Sequence, residues 1–331
     1  MEHSDLNRKV NWGVLGTANI ARKHTIPGMQ EAENCHLYAV AGRSLEKAEA
    51  FRDAFGFEKA YGSYEALLAD PAVEAVYIPL PNELHYEWTI KAMEAGKHVL
   101  CEKPLAPTPD QVRALAQVAD EQGVYLMEAF ACLHSPLLAA VKAELDAGTI
   151  GTPLYMESAF LTSDYDISNI RMRRETYGGA LYDLGCYCTS QILWLLGGEP
   201  DRVQAVAEFS DRGIDTLTSA MLHFPDGKKA TLTCGMCLAT EKGDRIDRFR
   251  IHGTAGSIRC DARFNQSGNL TYTVHTAAGD EEKTVPTPDN YRLEVEQLGR
   301  CIRLGEAPWV SAAFSQANSR LMDTILRRIG Y

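Results

Sequence analysis

The stretch Leu100-Cys101-Glu102-Lys103-Pro104 decides how the first half of this chain is interpreted. It ends a short apolar run behind Gly96, and the proline stops that run abruptly, which predicts a buried strand. Ligands of α/β enzymes bind at the carboxyl ends of parallel strands, so Lys103 would project its ammonium into a cleft. There it could hold a substrate hydroxyl or transfer a proton. The alternative is a solvated lysine in a loop.

Strands and helices alternate on both sides of this stretch. That alternation is typical of α/β proteins, and it predicts a doubly wound parallel sheet, a Rossmann domain, over residues 1–130. The predicted strands are 10–15, 36–41, 75–78, 97–101 and 124–127, and the predicted helices are 45–55, 85–95 and 108–122.

A turn between the first strand and the first helix resembles a dinucleotide-binding loop. The expected pattern is G-x-G-x-x-G/A, and the chain offers Gly16, then Ala18 in place of the usual glycine, then Ala21. The pattern is weak alone, but its position between a strand and a helix favours a phosphate site at the helix N-terminus. The second strand ends in Arg43 and Ser44 rather than a carboxylate, which favours NADP over NAD. The alternative is that Ser44 only caps the next helix and Arg43 is solvated.

Three polar or turn residues follow the strand at 75–78. Pro81, Asn82 and His85 share the edge of the sheet at which Lys103 lies, so we expect them to face the same cleft. Taken singly, Asn82 more often caps a helix, and a histidine is more often a capping or core residue.

Composition excludes several classes of protein. The chain has 331 residues, 33 basic against 44 acidic, and no basic run, which argues against nucleic acid or an anionic membrane as a partner. There is no signal-peptide pattern and no apolar run near the ~18 residues of a spanning helix. The nine cysteines lack metal-binding spacing. We expect reduced thiols, no metal and a cytoplasmic location.

The pattern changes in the second half, residues 131–331. Successive strands with short turns predict an α+β domain with a large, mostly antiparallel open sheet. The last helix is expected to pack back on the first domain. The predicted strands are 154–161, 203–209, 216–224, 229–236, 248–252, 257–260 and 270–276, and the predicted helices are 135–148, 181–196, 290–304 and 311–329.

The helix at 181–196 carries a second candidate proton donor. Asp183 and Tyr187 are four residues apart and share one side of this helix. A phenol beside the Lys103 ammonium would have a lowered pKa and could exchange a proton with a hydroxyl or carbonyl. The alternatives are that Asp183 caps a turn and Tyr187 packs in a core. Arg171 lies in an arginine run that is more often a solvated face.

These motifs resemble the Gfo/Idh/MocA oxidoreductases over nearly the whole chain. Residues 100–104 are similar to that family's Glu-Lys-Pro motif, and Pro81-Asn82 with His85 is similar to its P-N-x-x-H segment. Segments 127–130, 169–171 and 178–187 carry the resemblance further. Tyr187, where many relatives have histidine, points to the dimeric dihydrodiol and NADP-dependent D-xylose dehydrogenase branch. Ala18 and residues 131–133 depart from the family pattern, and the departure at 131–133 weakens any inference about the substrate.

The resemblance implies roles for named residues. It implies a homodimer or higher homo-oligomer, and a sugar, polyol or cyclic diol as substrate. The residues expected to contact the cofactor are Gly16, Thr17, Ala18, Asn19, Ile20, Arg43, Ser44, Pro81, Asn82, His85, Glu102 and Lys103. Those expected to bind substrate are Arg171, Asp183, Tyr187 and His134, and the catalytic group is Lys103, Tyr187 and Asp183.

Three functions remain open at this point. The first is an NADP-dependent dehydrogenase in which Lys103 and Tyr187 form the proton-transfer pair. The second is an enzyme that cleaves glycosides by transient oxidation with a bound nicotinamide cofactor. The third is a dinucleotide sensor without activity, which would not need the chemistry of Lys103 and Tyr187.

Overall fold

The computed structural model describes residues 8–163, 168–236 and 245–331. The chain divides into two compact units. The first ends at Ala131 and regains Asp289–Gln316, and the second comprises Cys132–Pro288 with Ala317–Tyr331.

Within the described residues, the first unit contains a six-stranded parallel sheet in the order β3-β2-β1-β4-β5-β6. Its strands are continuous apolar runs with fully buried residues such as Trp12, Tyr77 and Leu100, as expected when helices cover both faces of a parallel sheet. The strands are β1 Val10–Leu15, β2 Cys35–Ala41, β3 Lys59–Tyr61, β4 Ala75–Ile78, β5 His98–Glu102 and β6 Leu126–Ala129.

Capping residues determine where the helices of this unit begin and end. Thr108 accepts a hydrogen bond from the Gln111 amide at the start of one helix, and Gly123 ends it in the left-handed conformation. The helices are α1 Ile26–Glu31, α2 Leu45–Phe55, α3 Tyr64–Leu68, α4 Asn82–Glu94, α5 Pro109–Gln122 and, after the second unit, α8 Asn290–Leu304.

The second unit is built on an eight-stranded sheet in the order β14-β13-β12-β11-β7-β10-β9-β8, counted over the described part of the chain. Every neighbouring pair is antiparallel except β7 with β10, which is parallel. The strands are β7 Pro153–Thr162, β8 Arg202–Phe209, β9 Asp215–His223, β10 Lys229–Gly235, β11 Arg245–Gly253, β12 Gly256–Cys260, β13 Gly268–Thr276 and β14 Gly279–Thr287.

One face of this sheet is buried and the other is not. Along β7, Met156, Ser158 and Phe160 are buried, whereas the residues between them are partly exposed. The buried face packs against α7, which is buried on nearly every side. The remaining helices are α6 Pro136–Asp146, α7 Cys186–Leu196 and α9 Ala312–Ile329, the last of which has residues in both units.

The predicted fold class is confirmed, with differences at edges and helix starts. Strands β3 and β14 were not predicted, because β3 has three residues and β14 begins with a charged run and contains Pro286. Both are edge strands, which tolerate charge and proline. The first helix runs through Pro27 to Glu31, because the proline lies in the first turn of α1, where no amide hydrogen is needed. Within the described chain, no helix is both long and apolar enough to cross a bilayer.

Candidate functional site

The turn after β1 is closed around Gly16. Its amide donates to the Ala41 carbonyl at 2.8 Å, and its φ of +114° lies in the region that favours glycine. A Cβ at this position would lie 3.1 Å from Leu80 Cδ2, so a side chain would crowd the turn. The sequence therefore supplies the one glycine that this loop requires.

The residues after Gly16 lead directly into a helix. The Ala18 carbonyl accepts from the Arg22 amide at 3.0 Å. The segment Ala21–Thr25 then forms one π-helical turn before α1, a feature found frequently at functional sites. Of the residues predicted to contact a cofactor here, two are exposed and two are half-buried: Thr17 and Asn19, and Ala18 and Ile20.

The end of β2 lies beside the same turn. The Ser44 hydroxyl accepts a hydrogen bond from the Lys47 amide at 3.5 Å. Ser44 therefore caps α2, which is one of the two roles predicted for it. Arg43 is exposed. Burial raises the pKa of Tyr64, and the positive charge of Arg43 opposes that shift. Tyr64 Oη also lies 3.7 Å from the position that a Cβ on Gly16 would occupy. The Tyr64 phenol therefore lies beside the Gly16 turn and is influenced by the charge of Arg43.

Lys103 follows β5 directly and is half-buried. Its amide donates to Glu102 Oε2 at 3.3 Å. The other oxygen of Glu102 accepts from the Tyr77 hydroxyl at 2.6 Å, which in turn accepts from Thr25 at 2.9 Å. Glu102 therefore anchors the turn of Lys103 to the sheet interior, and it lies buried.

His85 holds the far side of this turn. Its ring is fully buried, with Nδ1 2.8 Å from the Pro104 carbonyl oxygen and Nε2 2.7 Å from that of Leu80. Burial lowers the pKa of His85, and the two carbonyl contacts oppose that shift, since only the imidazolium can donate from both nitrogens. The side chain thus links the end of β4 to the turn of Lys103. Pro81 and Asn82, both half-buried, begin α4 next to it.

In the second unit, two of the predicted substrate-binding residues are paired. Arg171 Nε lies 2.7 Å from Asp183 Oδ2. Arg171 is held in a short 3-10 turn, Ile170–Met172, whose start is capped by Asn169 accepting from the Arg171 amide at 3.0 Å. The carboxylate of Asp183 is therefore already oriented by a guanidinium.

Tyr187 lies at the start of α7 in an aromatic cluster that the sequence did not reveal. Its ring centroid is 5.4 Å from that of Phe160 and 6.5 Å from that of Phe264. The guanidinium of Arg245 lies 4.6 Å from the Phe160 ring centroid. The alternation of β7 places Phe160 on the buried face, but nothing local predicts that Phe264, in a loop, joins it.

A buried aspartate positions the segment that carries Asp183 and Tyr187. Asp215 Oδ2 accepts from the Leu181 amide at 2.9 Å and from the Thr218 hydroxyl at 2.8 Å. Burial raises the pKa of Asp215 to about 6. Leu181–Gly185 is a second π-helical turn, preceded by Gly179 with a φ of +115°. Sequence reasoning missed Asp215, because it is far away in the chain.

The predicted residues thus fall into two groups. The cofactor residues and Lys103 lie in the first unit, and Arg171, Asp183, Tyr187 and His134 lie in the second. His134 is buried in a 3-10 turn, Ala131–His134. Eight cysteines in the described residues are buried free thiols. No group of three or more potential His, Cys, Asp or Glu metal ligands occurs in the described ranges.

Two family models match this chain. Residues 10–130 match the GFO_IDH_MocA model, described as an oxidoreductase family with an NAD-binding Rossmann fold. Residues 138–259 match the GFO/IDH/MocA C-terminal domain.

Individual proteins match over nearly the whole chain. A D-xylose 1-dehydrogenase (NADP(+)) from Haloferax volcanii is 37% identical, covering 95% of each chain. A trans-1,2-dihydrobenzene-1,2-diol dehydrogenase from Mus musculus is 30% identical, covering 97% of each. A solved 3-ketoreductase from Actinomadura kijaniata, in complex with NADP and TDP-benzene, has a TM-score of 0.89 at 31% identity, covering 97% of this chain and 98% of the other. Further structures of that reductase carry one replaced tyrosine or one replaced lysine.

Proposed function

This chain belongs to the GFO/IDH/MocA family of oxidoreductases, and from that premise we propose that it is an NADP-dependent enzyme acting on a sugar or cyclic diol. It transfers a hydride between the nicotinamide and a hydroxyl or carbonyl carbon of that substrate. The names of three relatives support this class of substrate. They refer to D-xylose, to a cyclic diol and to the reduction of a keto group.

The first unit suits the phosphates of NADP. The Gly16 turn keeps open a space that a Cβ would narrow, and it is followed by a helix start with exposed Thr17 and Asn19. Arg43, exposed at the end of β2, supplies the cation for the 2′-phosphate. Two relatives carry NADP in their names or crystal complexes, which supports this preference. When bound, NADP supplies or accepts the hydride.

The proton is handled by this chain's own side chains. Lys103 and Tyr187 form the transfer pair: the ammonium favours the phenolate, and the phenol exchanges a proton with the substrate oxygen. Asp183, oriented by Arg171 at 2.7 Å, accepts a hydrogen bond from a substrate hydroxyl. The replaced lysine and tyrosine in structures of the related reductase concern the same two residue types.

One observation supports the proposal most strongly: Lys103 ends a buried parallel strand, and both sides of its turn are fixed by buried polar side chains. A solvated loop lysine needs no such anchoring. The half-buried ammonium is held at the strand end at which α/β enzymes place their reacting groups.

The test is a panel of aldoses, inositols and cyclic diols with NADP and with NAD, followed by nicotinamide absorbance. We expect turnover with NADP, and a Lys103→Met variant that binds NADPH but loses about 10²-fold or more in kcat. Lys142→Met, on the exposed side of α6, is the matched control. Product release without net absorbance change would instead support glycoside cleavage by transient oxidation, and NADPH binding without any turnover would support a sensor.

A homodimer is part of the proposal. The outer face of the eight-stranded sheet carries exposed apolar side chains: Val206 is 71% exposed, and Met221 and Ile246 are each 37% exposed. These residues alternate with buried neighbours such as Leu222, so they lie on one face. A second copy of this chain, packed face to face, would cover them, in a symmetric arrangement common among homodimers.

A further inference from the structure

Three buried ionisable side chains hold the backbone of the turn that carries Lys103. Glu102 accepts from the Lys103 amide at 3.3 Å, and His85 contacts the Pro104 carbonyl at 2.8 Å. Glu128 Oε1 accepts from the Leu105 amide at 2.8 Å. Three consecutive residues are therefore fixed by side chains from β5, α4 and β6. The first two were expected in the site, whereas Glu128 was not.

Glu128 is placed to influence the lysine as well as the turn. It is 4% exposed, and its carboxylate interacts electrostatically with Lys103. Burial raises the pKa of Glu128 to about 7, while the hydrogen bond from the Leu105 amide, the nearby Ser315 hydroxyl and the charge of Lys103 oppose the shift. A buried carboxylate needs such compensation, because an unpaired charge in the interior is costly. Nothing in the proposed chemistry uses this group directly.

We propose that Glu128 is a positioning residue for Lys103: it fixes the turn through Leu105, and its negative charge stabilises the Lys103 ammonium. This inference rests on the proposed function, in which Lys103 takes part in proton transfer. Glu128 does not touch the reacting atoms. It acts by setting where the ammonium lies and how readily it gives up its proton.

The surrounding charges are consistent with that role. The groups that face Glu128 are Lys103 and Glu102 from the β5 side and the Ser315 hydroxyl from α9. Cys101, on β5, is a buried thiol whose pKa is raised by burial. Among these four, Lys103 is the cation.

Further ionisable side chains face Glu102 and Lys103. Tyr77, on β4, donates to Glu102, and the pKa of its phenol is raised by burial. Glu294, on α8, is fully buried, and burial together with the charge of Glu102 raises its pKa, which keeps it neutral. His85 faces Lys103 from α4, with a pKa lowered by burial. Glu102 and Glu128 are therefore the two carboxyl groups that face Lys103.

The charge of Glu128 determines the direction in which the pKa of Lys103 shifts. An ionised carboxylate beside an ammonium favours the charged form and raises the pKa of the lysine. Glu128→Gln keeps an oxygen for the Leu105 amide but removes the charge. We therefore expect the pKa of Lys103 to fall by about one unit in this variant, and the pH profile of kcat to move in the same direction by a similar amount. The KM for NADPH should change less than twofold.

Two readouts test this. Lysine side chains are labelled by reductive ¹³C-methylation, the Lys103 signal is assigned with Lys103→Met, and its pKa is measured with and without Glu128→Gln. The pH profile of kcat is measured in parallel. Glu121→Gln, exposed on α5, is the control and should change neither. An unchanged pKa of Lys103 together with an unchanged pH profile in Glu128→Gln would overturn the proposal.

A second variant protects the test against misfolding. Ser315→Ala removes a hydroxyl near Glu128 that lowers the pKa of Glu128. This variant should therefore raise the pKa of Glu128 further and lower that of Lys103, by less than Glu128→Gln does. No movement of the Lys103 signal in this folded variant would also count against the proposal. If the wild type has no activity on any substrate, the proposed function fails, but the Lys103 signal still reports directly on Glu128.

Discussion

The ring of Tyr187 packs against Phe160 and Phe264. A substitution that removes only its hydroxyl therefore tests the chemical role of Tyr187. We expect Tyr187→Phe to lower kcat about 10²-fold, since a general acid–base group contributes on that scale. The apolar ring contacts survive the change, so NADPH affinity should stay within twofold. Stopped-flow turnover and fluorescence titration measure the two quantities. Tyr272→Phe, which loses only a bond to Glu144 at 3.2 Å, is the control; equal kcat values for the two variants would remove Tyr187 from the mechanism.

The proposed preference for NADP over NAD depends on Arg43. Arg43→Asp replaces an exposed cation with an anion beside the predicted 2′-phosphate, so the Kd for NADPH should rise at least about tenfold, because a charge-assisted hydrogen bond contributes roughly 1.5–3 kcal/mol. The Kd for NADH should change little. Isothermal titration with both cofactors checks this, with Arg113→Asp on α5 as control. Parallel losses for NADPH and NADH would show that Arg43 does not meet that phosphate.

At the scale of single elements, the segment that starts at Gly179 can be tested by its backbone. A Cβ on Gly179 would overlap Asp215 Oδ1, the carboxylate that orders the start of this helix. Gly148 has a similar positive φ, +70°, but open space around it. We expect Gly148→Ala to cost about 1–2 kcal/mol from strain alone, and Gly179→Ala to cost more and also to lower kcat. Chemical denaturation and steady-state assays measure both effects. Equal costs would mean that Asp215 moves aside without consequence.

The elements show which parts of the fold were predictable. Buried parallel strands such as β4 and β5 were found because an apolar run ended by Pro79 or Pro104 leaves little alternative. The two π-helical turns were missed, since an extra residue in a helix changes no local pattern. The capping role of Ser44 was predicted because capping is local, whereas Asp215 and Glu128 were missed because their contacts are with residues distant in the chain.

At the scale of the whole molecule, the predicted family and enzyme class are confirmed by matches that span almost the entire chain. The first unit is discontinuous, because α8 returns to it after the second unit is complete. Arg303, on α8, donates to the Glu74 carboxylate at 2.8 and 2.9 Å. Hydrophobic periodicity predicts each helix but not the element against which the helix packs. The packing of α8 on the first unit could therefore not be predicted.

The proposed homodimer can be tested by one substitution on the outer face of the eight-stranded sheet. Met221→Lys places a charge on the outer face of the eight-stranded sheet, where burial against a second copy would be costly. We expect this variant to sediment as a monomer under conditions in which the wild type is a dimer. Glu121→Lys, exposed on α5 of the first unit, should leave the dimer intact. A Met221→Lys protein that remains dimeric would place the interface elsewhere.

The parallel pairing of β7 with β10 has a consequence for synthesis. The two neighbours of β7 are β10 and β11, so on the ribosome the strand has no neighbour until translation has passed Gly235 and lacks its second neighbour until translation has passed Gly253. The unpaired backbone edges of β7 are accessible to chaperones or to other chains during that interval. Nascent chains released before Gly253 should therefore be the ones that aggregate.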